Sequence, residues 1–488
     1  MTDKATYRPV RRGYRALPAV ASMVLLAGCA GFGAETSTPS PAVPASYVDA
    51  RAAIPTEAPV DMVRWWQSFD DPVLTALIEE SAAANTDIRI AESRVREARA
   101  MARQSRSGLW PSLDAGTSAG ATSDVAIDSG RSPTNQGLFE AGFDAVWEAD
   151  LFGGTRRSID AAEAGVRAEE ERYRDVMVSL YAELADTYVR LRATQERLAL
   201  TEQSLRLQRR TRDLVREQAD AGIATVVDAE RANAAVAQLE SQRPAQTAQI
   251  ERLINQISVI LDRPPGALRN RLIDAAPVPV SDAGPDIGIP ADLLRRRPDL
   301  RAAEQDLVAA VAQTDVAIAD LYPSLTIPGS ITLSAAGLGT GSIVETLTSA
   351  VSAALSIPIF DSGSRQAAVD AAEERVEQAL LSYRSRILTA MQEVENALID
   401  YDEALERRAA LRRNVASSQR AVTTATDLFE QGLSSFLEVL DAQRELSTAR
   451  QSLSEAEEAL SRSMIQLYKA LGGGWDGAAP AIAAAPSS

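Results

Sequence analysis

The chain has 488 residues, one cysteine, no histidine and a formal charge of −17. The missing histidines exclude Ser-His-Asp and Cys-His nucleophile systems and every His-ligated metal site; a lone cysteine excludes internal disulfides and CxxC pairs. The acidic excess offers nucleic acid no general attraction, and the length implies more than one structural region.

Residues 1–28 read as an export signal. Lys4, Arg8, Arg11, Arg12 and Arg15 form a basic head, and an apolar run from Ala16 to Ala27, too short to span a bilayer, leads to Gly28-Cys29. Leu26-Ala27-Gly28-Cys29 resembles the bacterial lipobox, which implies cleavage before Cys29 and a covalent lipid on it. Ala30, not Asp, follows, which in such lipoproteins implies sorting to the outer membrane. No later stretch is a transmembrane helix by length and apolarity, so any spanning part must be β. Residues 29–84 form an N-terminal tail and equatorial segment, with a Pro/Ser/Thr/Ala-rich beginning.

The rest of the chain is a duplication, 85–261 and 298–471, joined by a proline-rich connector, 262–297. Asn85 to Glu92 matches Arg297 to Glu304, and Trp110-Pro111-Ser112-Leu113 matches Tyr322-Pro323-Ser324-Leu325, both 212 residues apart. Asp160-Ala161-Ala162-Glu163 matches Asp370-Ala371-Ala372-Glu373, and Gly222 matches Gly432, both 210 apart. Each copy reads as helix, strand, strand, long helix, turn, helix. In copy one a helix is expected over about 87–109 and strands over 111–121 and 138–151. In the second strand Phe139, Ala141, Phe143, Ala145, Trp147, Ala149 and Leu151 oppose Glu140, Asp144, Glu148 and Asp150, a period of two. Helices over about 154–220 and 225–261 follow. Copy two repeats the plan with a helix at 298–321, strands through Leu325–Leu333 and Val351–Ile359, and helices at 363–431 and 433–471. The long helices are on the order of 100 Å each, longer than a globule needs. Leu184, Leu191, Leu198 and Leu205 recur every seven residues, as ordinary helix packing does. Residues 472–488 read as a disordered tail.

Four strands cannot close a membrane barrel, since bacterial barrels begin at about eight; three chains would supply twelve. The fold class is therefore mainly α with membrane β: a two-repeat chain forming one third of a trimeric 12-stranded β-barrel plus a long α-helical barrel. No phosphate loop or metal cluster appears, the acidic residues lie at helical spacing, and no enzyme activity or resident cofactor is expected beyond the lipid on Cys29.

These segments resemble the TolC-like outer-membrane efflux family, in its NodT-type lipoprotein branch. The resemblance rests on Trp65-Trp66 through Leu74, Asn85 to Glu92, Arg296 to Glu304, Tyr322 to Leu325, and Gly432 to Arg444. It implies an outer-membrane exit duct, extending into the periplasm, for a tripartite pump. Its partners would be two other copies, a periplasmic adaptor protein, and an inner-membrane pump of the resistance-nodulation-division class that energises export of drugs or other small molecules. It places the adaptor-contacting tip at Gly222 and Gly432. It also makes Asp441 and Arg444 the residues that hold a periplasmic aperture shut, with Leu437 and Phe429 narrowing it. Copy one carries Arg231, Ala234, Val227 and Ala219 at the matching places, so the two halves are unequal gates. An exit duct for type I protein secretion has the same architecture. A periplasmic coiled-coil adaptor or structural lipoprotein is the reading from another class, and it would need the four strands to form a soluble domain.

Overall fold

The computed structural model describes residues 61–124, 134–281, 290–337, 343–431 and 433–476. Cys29 and Gly432 lie outside the described residues. A 3-10 turn, Trp65–Phe69, leads into α1 (Pro72–Ala84) and α2 (Thr86–Ser107). Asp71 caps α1 by accepting from the amides of Val73 and Leu74, with Pro72 in the first turn, where a missing N–H costs nothing. Asn85 caps α2 through Asp87 and Ile88 and donates its Nδ2 to the Ile260 carbonyl at 2.8 Å, tying the start of copy one to its end.

Strands β1 (Ser112–Asp124) and β2 (Thr134–Ala149) form a hairpin, followed by α3 (Gly154–Asp220) and α4 (Val226–Ile260). The connector holds the short α5 (Arg269–Leu272) and α6 (Pro290–Arg296). Copy two then runs α7 (Pro298–Ala319), β3 (Ser324–Gly337), β4 (Ile343–Val351), β5 (Ala354–Ser356), α8 (Ser364–Glu430) and α9 (Phe436–Ala470). The duplication is repeated to the residue: α3 and α8 have 67 residues each, and α4 and α9 have 35 each. Both long helices start from a glycine in the left-handed region, Gly153 at φ 83° and Gly363 at φ 85°. Beside each glycine an aspartate, Asp150 or Asp361, accepts from backbone amides of the first turn and from an arginine, Arg156 or Arg365.

The strands make one antiparallel sheet in the order β1-β2-β3-β4, with β5 continuing along β3. Ser112 pairs with Val146 in the first hairpin, and Ser324 with Ser356 in the second; the 212- and 210-residue repeat spacings relate the two pairs. The alternation read from β2 carries across its neighbours, since Phe143 lies between Ala115 and Ile331 while Asp144 lies between Asp114 and Ser330. One face is thus apolar yet solvent-facing, with Phe139, Phe143, Ile331, Leu333 and Leu347 all exposed. Among the described residues no helix is long and apolar enough to cross a membrane.

The helices pack side by side. Helices α2 and α4 lie along α3, and α9 along α8, as their matched lengths require. Helix α7 packs against both long helices, so the copies interlock. Of the seven-residue stripe, Leu184, Leu191 and Leu205 are buried and Leu198 packs against the core. That core sits midway along the helices: Trp65 stacks on Tyr468 at 5.1 Å, Trp66 meets Tyr181 edge-on, and α1 contributes Leu74, Leu77 and Ile78.

Residues 472–475, expected as the start of a disordered tail, instead pack against this core, with 472–474 buried, Trp475 half-buried and Asp476 exposed. Gly472 turns at φ 75° beneath α6, where a Cβ would meet the Arg296 carbonyl at 3.0 Å, and Trp475 Nε1 donates to that same carbonyl at 3.0 Å. The guanidinium groups of Arg174 and Arg301 cover the Trp475 ring at 5.1 Å each, and both ion-pair with buried Glu171. An indole held over two arginines that share one carboxylate offsets the tail's weak local propensity.

Candidate functional site

Three regions position the side chains that matter: the helical tip, the equatorial junction and the open sheet edges. At the tip, α3 ends at Asp220. The chain reverses through Gly222 at φ 74°, with the amides of Ile223 and Ala224 both reaching the Gln218 carbonyl. Thr225 and Asp228 form a reciprocal capping box that starts α4. The second turn is matched by the Leu433 amide on the Leu428 carbonyl at 2.9 Å. Between the turns lies a small core of Val215, Ala232 and Phe436, against which Phe429 and Leu440 pack. Phe429 therefore faces its own chain's tip core, its ring 6.2 Å from that of Phe436. Around this core Ile223, Val226, Leu433 and Leu437 project into solvent.

Asp441 and Arg444 lie one turn apart near the start of α9, both exposed. Neither has a hydrogen-bond or ion-pair partner for its side chain among the described residues, so the spacing does not produce an i,i+3 pair. Between them Gln443 turns inward and donates to Thr211 Oγ1 on α3 at 3.2 Å. Arg444 lines a cavity of about 620 Å³ between the two helix pairs, with Arg206, Arg210, Arg450, Gln208 and Gln443. No carboxylate lines this cavity, although the chain as a whole is acidic.

At the equatorial junction Arg297 is buried. It grips Asp299 through two bonds of 3.0 and 2.8 Å, and reaches Glu393 on α8 at 2.6 Å and the Ala470 carbonyl at 3.1 Å. Burial works against the charge, but Asp299 and Glu393 outweigh it and hold the guanidinium above its usual pKa. The neighbouring Asp175 is pushed above the ordinary carboxylate range by burial and then by the like charge of Asp299. Burial pushes the Tyr181 hydroxyl up to about 12. The Arg-Pro-Asp segment is thus a joint between copy two's first helix, its long helix and its last. No group of side chains suited to holding a metal ion occurs among the described residues.

The residues that the sequence marks as hallmarks divide by position. Trp65, Trp66, Asn85 and Arg297 are structural, whereas Asp441, Arg444, Leu437 and Gly222 lie at the exposed tip. The Glu171-Arg174-Arg301-Trp475 group is visible only in the fold. Its members are scattered over some three hundred residues, and Trp475 sits in an Ala-Pro-rich stretch that offers no pattern.

A sheet whose two edges are unpaired among the described residues and whose apolar face is exposed, set on helices about 100 Å long, defines the protomer of a membrane channel. A family model described as "Outer membrane efflux protein" matches residues 77–261 and 289–473, and the chain belongs to that family. Nodulation protein T of Rhizobium leguminosarum bv. trifolii is 30% identical over 94% of this chain and 97% of its own. The solvent efflux pump outer membrane protein SrpC of Pseudomonas putida is 30% identical over 83% and 86%. Among solved structures, the outer-membrane channel OprN superposes with a TM-score of 0.83 at 33% identity, over 91% of this chain and 99% of that one. The open state of the Neisseria gonorrhoeae MtrE outer membrane channel superposes at 0.79 and 26% identity, over 91% and 98%. The fold class expected from the sequence is the one found, and the protein is an outer-membrane efflux channel that extends into the periplasm.

Proposed function

We propose that three copies of this chain close a twelve-stranded barrel in the outer membrane and continue it as a helical tunnel through the periplasm. The assembly is the passive exit duct for small molecules driven by an inner-membrane pump of the resistance-nodulation-division class. The observation that carries this reading is the open sheet: its β1 and β4 edges have no partner among the described residues, and its apolar face is exposed. Relatives named for the export of solvents, pyoverdine and cations support a duct whose cargo is set by its pump. An adaptor protein would engage the turn at Gly222 and the stretch of sequence around Gly432, where Ile223, Val226 and Leu433 offer apolar contacts. Asp441 and Arg444, unpaired among the described residues, hold the aperture closed by contacts between protomers, with Leu437 beside them. Cys29 carries the lipid anchor.

The test is a deletion strain challenged with amphiphilic toxicants, together with the native mass of the detergent-extracted protein. Sensitisation reversed by the gene, and a trimer mass, are expected. An unchanged tolerance profile with a monomeric membrane-embedded chain would refute the reading.

A further inference from the structure

We propose that the seam between protomers copies the internal β2–β3 junction and is pinned at its periplasmic end by Phe360 of one copy on Trp110 of the next. This rests on the trimer reading above and assigns the residues that close it. Inside the chain, the end of copy one's second strand meets the start of copy two's first. There Phe152 stacks on Tyr322, 4.9 Å apart and 15° from parallel, in line with the strand register that sets Ala149 against Leu325. The repeat supplies a second such pair that the chain cannot join to itself. Trp110-Pro111 corresponds to Tyr322-Pro323, and the Ile359-Phe360 pair ends four residues before α8 where Leu151-Phe152 ends two before α3, so copy two carries two extra residues there. Trp110 is 76% and Phe360 87% exposed; Trp110 lies just before β1, and Phe360 four residues past the end of β5.

The backbone agrees. The Ser352 amide donates to the Pro328 carbonyl at 3.0 Å. Even-numbered residues of the β4–β5 strand therefore turn their backbone groups towards β3, and odd-numbered ones towards the free edge. The repeat places Gly116 of β1 where Pro328 lies in β3, so odd-numbered residues of β1 also face its free edge. Setting Phe360 opposite Trp110 pairs odd with odd, putting Ile357 against Leu113 and Leu355 against Ala115. Four apolar or small side chains exposed in the single chain thereby come together on the apolar face. The accumulated stagger then tilts the strands by about 46°, close to the range of outer-membrane barrels. Sliding the seam by two residues, so that the hairpins alone repeat strictly, would steepen the tilt to about 54°.

In the proposed register Ser352 faces Ser118 of the next copy as a non-hydrogen-bonded pair, the geometry in which two cysteines reach one another. The double variant Ser118→Cys with Ser352→Cys, extracted as the full chain and mildly oxidised, should give covalent oligomers on denaturing gels that a reductant dissolves. Each single variant provides the background from Cys29. Stronger cross-linking by Ser118→Cys with Ala354→Cys would overturn the register, and trimers by native mass with neither pair cross-linked would overturn the seam itself. A monomer by native mass would instead overturn the trimer reading and this one with it. For the aromatic pair, Trp110→Ala and Phe360→Ala should each lower the temperature at which the trimer band is lost, and the double variant should fall no further than the lower single. Fully additive losses would refute the stacking.

Discussion

Arg297→Ala should be among the most damaging single changes in the periplasmic part. The guanidinium makes two charge-assisted bonds to Asp299, one to Glu393 and one to the Ala470 carbonyl, and its side chain is only 11% exposed. Truncation leaves Asp299 without its fork and a buried carbonyl without a donor, about 1–3 kcal/mol for the latter alone. Glu393 is half exposed and is discounted to about 0.5–1 kcal/mol. With the lost Asp299 fork added, the cost should fall within the span of about 3–5 kcal/mol for breaking a buried ion pair from one side. Arg297→Lys keeps the charge but reaches one acceptor at a time, and should cost about half as much. Thermal loss of helical circular dichroism in detergent orders the three proteins. Limited proteolysis should show the chain beyond Ala470 released in Arg297→Ala, because that joint holds the end of α9. A melting profile displaced by less than about 0.5 kcal/mol, the scale of an ordinary surface change, would refute the reasoning.

The other predictions concern separate regions. Asp441→Ala and Arg444→Ala should each raise single-channel conductance in planar bilayers, and Ala234→Gly, at the copy-one equivalent, should do far less; equal conductance in both gate variants with trimers intact would place the constriction elsewhere. Asp175 is held above the ordinary carboxylate range, so its ionised form opposes folding. Asp175→Asn should therefore melt higher than wild type at pH 7, and the gap should close as pH falls through the raised pKa to the usual one; a gap that widens on acidification would reverse the sign. Trp475→Ala should lower thermal stability by about 2–4 kcal/mol through lost burial and ring contacts, whereas ending the chain after Asp476 should leave melting unchanged. Cys29→Ser should abolish acyl labelling in cells; labelling equal to wild type would exclude the lipid anchor.

The repeat made most of the architecture legible. A match at two spacings, 212 and 210, locates both hairpins, and the scarcity of Pro and Gly within 154–220 and 363–431 marks both long helices to within a residue or so. Pro244 shows why the α4 reading succeeded despite a helix breaker: the residue is exposed, and the helix runs through it from Val226 to Ile260. Helix α1 was not legible, because thirteen residues next to a proline-rich stretch give little periodicity, and its burial depends on partners more than a hundred residues away. The C-terminal tie was missed for the same reason. At the tip, spacing placed Asp441 and Arg444 on one face, but spacing cannot tell a paired side chain from one left for a neighbour. The cavity beside Arg444 arises only when four helices meet, so no single segment announces it.

The Trp475 clamp also fixes an order in time. The middle of the protomer lacks a closing piece until the ribosome has passed Gly474, because Gly473 and Gly474 pack against Met62 and Trp65, which are made long before them. A polypeptide bound for export gains from such a delay. It reaches the far side of the inner membrane before its core can close, so the machinery that threads it through never has to pull a finished protomer apart.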